Sequence, residues 1–205
     1  MRPKPVYSAT GALSAPILYG AFRLRTQGIE NIPADGGFVL AANHVSSFDP
    51  WPLAMPLWPR RFLRFMAKSE LYWWPLRYAL DGVGAFPVRR GQADTEAIDR
   101  AVALCREGHV VAMFPEGTRR AKGLRKRHEA RPRSGAARIA LLAGVPLVPA
   151  ATKGTDRLTR LGPLRVAYGA PVAIDDLRGR DNLREASNEA TERLMQRIAE
   201  LEESL

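Results

Sequence analysis

Four stretches of this 205-residue chain set side chains capable of chemistry at short spacing. The first, Asn43-His44-Val45-Ser46-Ser47-Phe48-Asp49, follows an apolar run and precedes Pro50. If the chain turns there, Asp49 returns to one ring nitrogen of His44, sets its tautomer and leaves the other nitrogen as a base. A substrate hydroxyl can then serve as the nucleophile, with no serine or cysteine in that part. On spacing alone a plainer arrangement is favoured, with Asp49 capping the helix that Pro50 begins and His44 an ordinary loop residue. The second stretch is Phe114-Pro115-Glu116-Gly117-Thr118-Arg119. Its Glu-Gly-Thr turn can converge backbone N–H groups on an anion while Arg119 clamps a phosphate in bidentate fashion. A strand-ending turn with a solvated arginine is the commoner use of such residues. The third, Phe86-Pro87-Val88-Arg89-Arg90, presents two arginines at a strand end and says little alone. The fourth, Val145-Pro146-Leu147-Val148-Pro149, has pocket lining as its only expected task.

These stretches need elements to hold them. Residues 38–42 form a short apolar run ahead of Asn43 and read as a buried strand. Asp49 and Pro50 start a helix. Residues 61–67 and 84–89 read as strands, the second an edge or end because Pro87 cannot donate to a ladder. Ser69 and Glu70 open a short helix through Tyr72-Trp73-Trp74. Asp94 caps a helix that runs to Glu107 and closes at Gly108. Residues 109–114 are the clearest buried strand and residues 145–151 another strand, with a helix from Ser134 to Gly144 between them. A strand at 164–168 and a long helix over 181–203 complete the chain. Residues 1–9 read as a loose arm, and apolar residues from Ala9 to Arg25 recur near a helical period. Strands alternating with helices predict one α/β domain over 25–205, with a mixed, largely parallel sheet flanked by helices, behind an N-terminal arm and amphipathic membrane-facing segment over 1–24.

Charge and composition narrow the partners. Lys plus Arg number 31 against 21 Asp plus Glu, a formal charge of +10, which calls for an anionic partner. Residues 119–133 contribute eight of those cations and one acid, whereas residues 175–205 hold nine acids against five arginines. One cysteine, Cys105, rules out an intrachain disulfide and multi-cysteine zinc or iron–sulfur sites. It reads as a small core residue, and His109 and His128 as non-catalytic. No stretch is long and apolar enough to span a bilayer. A soluble or peripheral protein on the cytosolic side is therefore expected.

Taken together and in this order, the four stretches resemble the four sequence blocks of the glycerolipid acyltransferases, over roughly residues 25–170, and most of all the bacterial enzymes that acylate 1-acyl-glycerol-3-phosphate. The resemblance implies that His44 is the general base toward the acceptor hydroxyl and that Asp49 orients it. It implies that Glu116, Gly117, Thr118 and Arg119 bind the acceptor, with Arg119 on its phosphate and Arg90 in the arginine position of the second block. Asn43, Arg89, Arg120 and Arg133 are further candidate contacts to acceptor or donor. Arg120 stands where the family often has serine, and Arg133 takes the part of a lysine in the loop that follows. The donor implied is an acyl-coenzyme A or acyl carrier protein, with no metal or redox cofactor. The product is phosphatidic acid, in phospholipid synthesis.

A lipid substrate implies a bilayer partner. The segment around Leu13–Leu24, the tryptophans Trp51, Trp58, Trp73 and Trp74, and Arg60, Arg61 and Arg64 suit a peripheral surface that seeks anionic lipid at the inner face of the membrane. Each tryptophan has core or pocket wall as its alternative. Two readings compete with this acceptor: the same chemistry on glycerol-3-phosphate, another lysophospholipid or an aminolipid, and a basic module that binds nucleic acid without catalysis. The latter lacks aromatic residues within its basic run, so no specific nucleic acid partner is expected.

Overall fold

The computed structural model describes residues 5–88, 95–117 and 132–205. In chain order the main elements are helix α1 (Pro5–Ala15), which continues as a π-helical stretch over Pro16–Ala21, strand β1 (Arg25–Gln27), strand β2 (Phe38–Ala42), helix α2 (Pro50–Ala54), strand β3 (Leu63–Lys68), helix α3 (Leu76–Gly82) and strand β4 (Ala85–Val88). Helix α4 (Thr95–Arg106), strand β5 (Val110–Met113), helix α5 (Gly135–Ala143), strand β6 (Leu147–Lys153), strand β7 (Arg165–Tyr168) and helix α6 (Leu183–Ser204) follow. The seven strands form one sheet in the order β1-β7-β6-β2-β5-β3-β4. Strands β2 to β6 run parallel; β7 is antiparallel to β6, and β1 is parallel to β7. The expected mixed, largely parallel α/β sheet is therefore present, and β4 with Pro87 is an edge.

Central strand β2 explains the run at 38–42. All five residues are buried because both faces of the sheet are covered. Val39 and Ala41 face the layer of α4, α5 and α6, where Ala101, Ile139, Ala140, Ala190 and Leu194 are fully buried. Phe38, Leu40 and Ala42 face the opposite layer with Leu18, Phe22, Leu53 and Met55. The alternation is the period-2 geometry of a strand, with apolar residues on both sides. Tyr168 of β7 ties this second layer to α2: its hydroxyl donates to the Leu53 carbonyl at 2.7 Å.

Several boundaries differ from expectation. The first helix begins at Pro5, so residues 5–9 are not a loose arm; Pro is well suited to a helix start. Tyr7 anchors it, buried with its ring edge-on to Phe62 at 4.4 Å. The stretch at 69–74 forms a single 3₁₀ turn over Ser69–Leu71, and the α-helix starts only after Pro75. A proline at 75 disfavours helical geometry at Trp74, which accounts for the shift. Strand β1 had no sequence signal. Helices α4 and α5 stop before Gly108 and Gly144 as expected.

Candidate active site

Strands β6, β2 and β5 are adjacent and parallel, so the residues that leave their C-terminal ends meet along one edge, the place where open α/β sheets bind ligands. Asn43 leaves β2. Its side chain is fully buried and clasps β6: Nδ2 donates to the Thr152 carbonyl at 3.0 Å and the Thr152 N–H donates to Oδ1 at 2.8 Å. A side chain thus extends the β2–β6 ladder one step past Ala42 and Ala150, while the main chain is released to turn. Asn43 is consequently a strut beneath the site, with both ends of its amide bonded to Thr152.

The turn brings the His44 ring to Asp49, with Nδ1 and Oδ2 2.8 Å apart. His44 is 9% exposed, and its ring stacks on Phe114 of the β5 exit at 4.3 Å between centroids and 19° between planes. Asp49 is fully buried. Its Oδ2 also accepts the N–H groups of Val45 at 2.7 Å and Ser46 at 2.9 Å, and its Oδ1 accepts the Thr155 hydroxyl from the β6 exit. Four donors replace the water that the carboxylate has lost. With Nδ1–H directed at Asp49, the Nε2 lone pair is the basic position on the ring.

Asp49 does not cap α2. A cap accepts from N–H groups one turn ahead. Here Pro50 and Pro52 have none, and the Trp51 N–H donates to the Phe48 carbonyl at 2.9 Å. The carboxylate is left to face backward, toward His44. Of the two arrangements open on spacing alone, the structure therefore has the paired one.

His44 lines an apolar cavity of about 450 Å³. Helix α1 contributes Tyr7, Thr10, Gly11 and Ser14, α3 contributes Leu80, and β3 contributes Phe65. Trp51 and Trp58 are also wall residues, whereas Trp73 and Trp74 are 58% and 71% exposed. Two of the four tryptophans are thus pocket wall, and two lie on the surface. Arg61 and Arg64 are turned inward. Arg61 donates to the Ala34 and Gly36 carbonyls and lies over the Phe38 ring, and Arg64 lies over Phe62.

Beyond Phe114 the chain turns, with the Gly117 N–H donating to the Phe114 carbonyl at 3.0 Å. Glu116 is buried at 3% exposure, and Gly117 has φ of +67°. Arg133 returns to this turn. Its N–H donates to the Pro115 carbonyl at 2.8 Å, and its guanidinium lies so close to Gly117 that a Cβ there would stand 2.6 Å from Nε. The left-handed backbone favours glycine here, and the arginine laid across it would have to swing aside to admit a side chain. Arg89, Arg90, Thr118, Arg119 and Arg120 lie outside the described residues, as do Asp94 and His128. Among the described residues no three His, Cys, Asp or Glu side chains group as metal ligands, and no helix is long and apolar enough to cross a membrane. Burial pushes the Cys105 thiol up to about 12, which fits a core residue and not a nucleophile. Burial and Arg64 lower His109, which lies at the opposite end of β5 from Phe114.

Comparison with known proteins decides the class. A family model described as Acyltransferase matches residues 23–153. The chain belongs to the acyltransferase family. A 1-acyl-sn-glycerol-3-phosphate acyltransferase of Bacillus subtilis is 34% identical over 182 residues, covering 86% of each chain. A chloroplastic enzyme of the same name from Brassica napus is 30% identical over 149 residues, 71% of this chain and 41% of the relative. The crystal structure of the 1-acyl-sn-glycerophosphate acyltransferase PlsC from Thermotoga maritima superposes with a TM-score of 0.66 at 25% identity, covering 95% of this chain and 78% of that one. The resemblance read from the four blocks is thereby borne out.

Two parts of this acyltransferase site had little or no sequence signal. Phe114 begins the third block, but its stacking on His44 is a tertiary fact. Thr155 follows β6 with no spacing to link it to Asp49. Replacing Asn43 by Ala should leave the buried Thr152 N–H and carbonyl unpaired and destabilise the fold by about 2 kcal/mol or more, read from the shift in urea midpoint.

Proposed function

We propose that the protein transfers a fatty acyl group from an acyl thioester to the free hydroxyl of 1-acyl-glycerol-3-phosphate, giving phosphatidic acid. The observation that carries the reading is a buried His44–Asp49 pair, 2.8 Å apart, whose histidine lines an apolar cavity in a member of this family. Nε2 of His44 takes the proton from the acceptor hydroxyl as that oxygen attacks the thioester carbonyl. The tetrahedral intermediate collapses, the C–S bond breaks, and the thiolate leaves with the proton that the imidazolium returns. Asp49 stabilises the imidazolium while it lasts. A thiol is a good leaving group, so one residue can serve as base and then acid.

The apolar cavity suits the acyl chain of the donor, an acyl-coenzyme A or acyl carrier protein. The acceptor phosphate is assigned to the turn of Glu116, Gly117 and Thr118 with Arg119, together with Arg90 of the second block. Arg133, laid on the turn, adds positive charge there, and Arg89 and Arg120 are further candidate contacts to acceptor or donor. A charged hydrogen bond of this kind is worth about 1.5–3 kcal/mol, so loss of Arg119 should weaken acceptor use about ten- to hundredfold.

The protein meets its lipids at the cytoplasmic face of the membrane, by its surface. Helices α1 and α3 pack together through Val6 and Gly82 and both wall the cavity. Leu13 and Ile17 on the N-terminal helical segment, and Trp73, Trp74 and Tyr78 on and before α3, are exposed. An apolar surface on the cavity's own walls lets a chain pass from bilayer to site without crossing water.

Three experiments test this. Purified protein with palmitoyl-coenzyme A should release thiol only when lysophosphatidic acid is added, and His44→Ala should lower the rate about 10²–10⁴-fold; acceptor-independent or undiminished release would defeat the reading. Trp73→Ala with Trp74→Ala should weaken co-sedimentation with anionic vesicles roughly tenfold, the scale of two lost apolar anchors. A Cβ on Gly11 would stand 2.4 Å from Nε1 of Trp58, so Gly11→Leu must push into the cavity. At about 0.8 kcal/mol per excluded methylene, the preference for palmitoyl over a chain two carbons shorter should fall about tenfold.

A further inference from the structure

The geometry points to Thr155 as a positioning residue of the reaction, one that holds the Asp49 carboxylate in the orientation His44 needs. The inference rests on the acyl-transfer reading above. The matched family region ends at residue 153, two residues short of it. Thr155 is 2% exposed, too deep to meet solvent, and its hydroxyl donates to Asp49 Oδ1 across 106 residues of sequence.

The two carboxylate oxygens carry different loads. Oδ2 holds His44 Nδ1 and the N–H groups of Val45 and Ser46. Among the described residues Thr155 is the donor to Oδ1. The three bonds to Oδ2 all come from the loop that carries His44 itself, so they can move with it. Thr155 comes instead from the exit of β6, a strand paired to β2 in the middle of the sheet. It therefore references the pair to the rigid sheet. Without its hydroxyl the buried Oδ1 has lost its donor, and rotation about the Cβ–Cγ bond in search of another weakens the contact to Nδ1.

The backbone is shaped to deliver this hydroxyl. Gly154 has φ of +97°, and a Cβ there would stand 2.6 Å from the Pro163 carbonyl oxygen. The left-handed residue turns the chain out of β6 so that the next side chain points back beneath the site.

Thr155→Val keeps the shape and removes the hydroxyl, and Thr155→Ser restores it. With rates expressed per folded enzyme, Thr155→Val should lower kcat about tenfold or more while KM for lysophosphatidic acid stays within about twofold, because Thr155 touches no substrate. Thr155→Ser should recover most of the lost kcat. In an Asp49→Ala background the Val substitution should cost less than about twofold, since nothing remains to be positioned. The Nδ1–H proton resonance of His44, an observable independent of turnover, should shift or broaden in Thr155→Val and return in Thr155→Ser. If Val fails to fold, Thr155→Ala is read in the same way. Unchanged kcat and an unchanged resonance in the folded variant would overturn the proposal, as would an equal loss in the Asp49→Ala background. Wild-type protein that releases no thiol with any acceptor would overturn the acyl-transfer reading instead, and the resonance would still decide the role of Thr155.

Discussion

A carboxylate removed from water has to be given hydrogen bonds in its place, and Asp49 is fully buried. That requirement organises the site. Its donors come from its own loop and from the exit of β6, and the ring it holds is pressed on its face by Phe114 from the exit of β5. Each of the three central parallel strands thus contributes where its C-terminal end leaves the sheet. The sheet is needed for its register as much as for its core. A slip of one residue between β2 and β6 would separate Asn43 from Thr152 and carry Thr155 away from Asp49.

The same division explains why the cavity lies where it does. One face of the sheet is closed by α4, α5 and α6, with small residues such as Ala101, Ala137, Ala140 and Ala190 that let helix and strand approach closely. The other face is covered by more irregular pieces: the N-terminal helix with its π-helical extension, the short α2, and the short α3 at the β4 edge. Irregular pieces of this kind do not fill a layer evenly. The space left at the β3 and β4 end is bounded by Gly11, Phe65, Leu80 and Trp58 and reaches His44. A well-packed layer holds the catalytic strands in place, and a loosely covered layer gives room for an apolar chain.

Much of this was legible from sequence, for local reasons. The runs at 38–42, 109–114 and 145–151 are buried on both faces, and such strands need no partner to be recognised. Gly108 and Gly144 stop helices by their own backbone freedom. The blocks around His44 and Glu116 were legible because their residues lie within a few positions of one another. The direction in which Asp49 points was also readable, in hindsight, from Pro50 and Pro52, which deprive a cap of donors. Thr155, the stacking of Phe114 and the strut made by Asn43 were not readable, because each depends on a contact between chain segments that only the sheet brings together. Tyr7 and Gly11 were hidden for a related reason. A short helix with a weakly one-sided pattern does not announce that it will wall a cavity.

The separation between local and long-range parts bears on how the two substrates are held. The base, its carboxylate and the cavity rest on the sheet and on helices packed against it. Apart from Arg90, the residues assigned to the acceptor phosphate lie in or just after a glycine turn that leaves the sheet after β5, and Arg133 comes back to brace that turn. Changes in those loop residues can therefore alter which acceptor is bound without disturbing the histidine pair. Changes at Asn43, Thr152 or Gly154 act on the frame and fall on the chemistry of every acceptor alike. On the proposed assignment, acceptor choice and chemical competence are carried by different parts of the chain, joined at the turn of Phe114 to Gly117, whose first residue stacks on His44 and whose last is covered by an arginine.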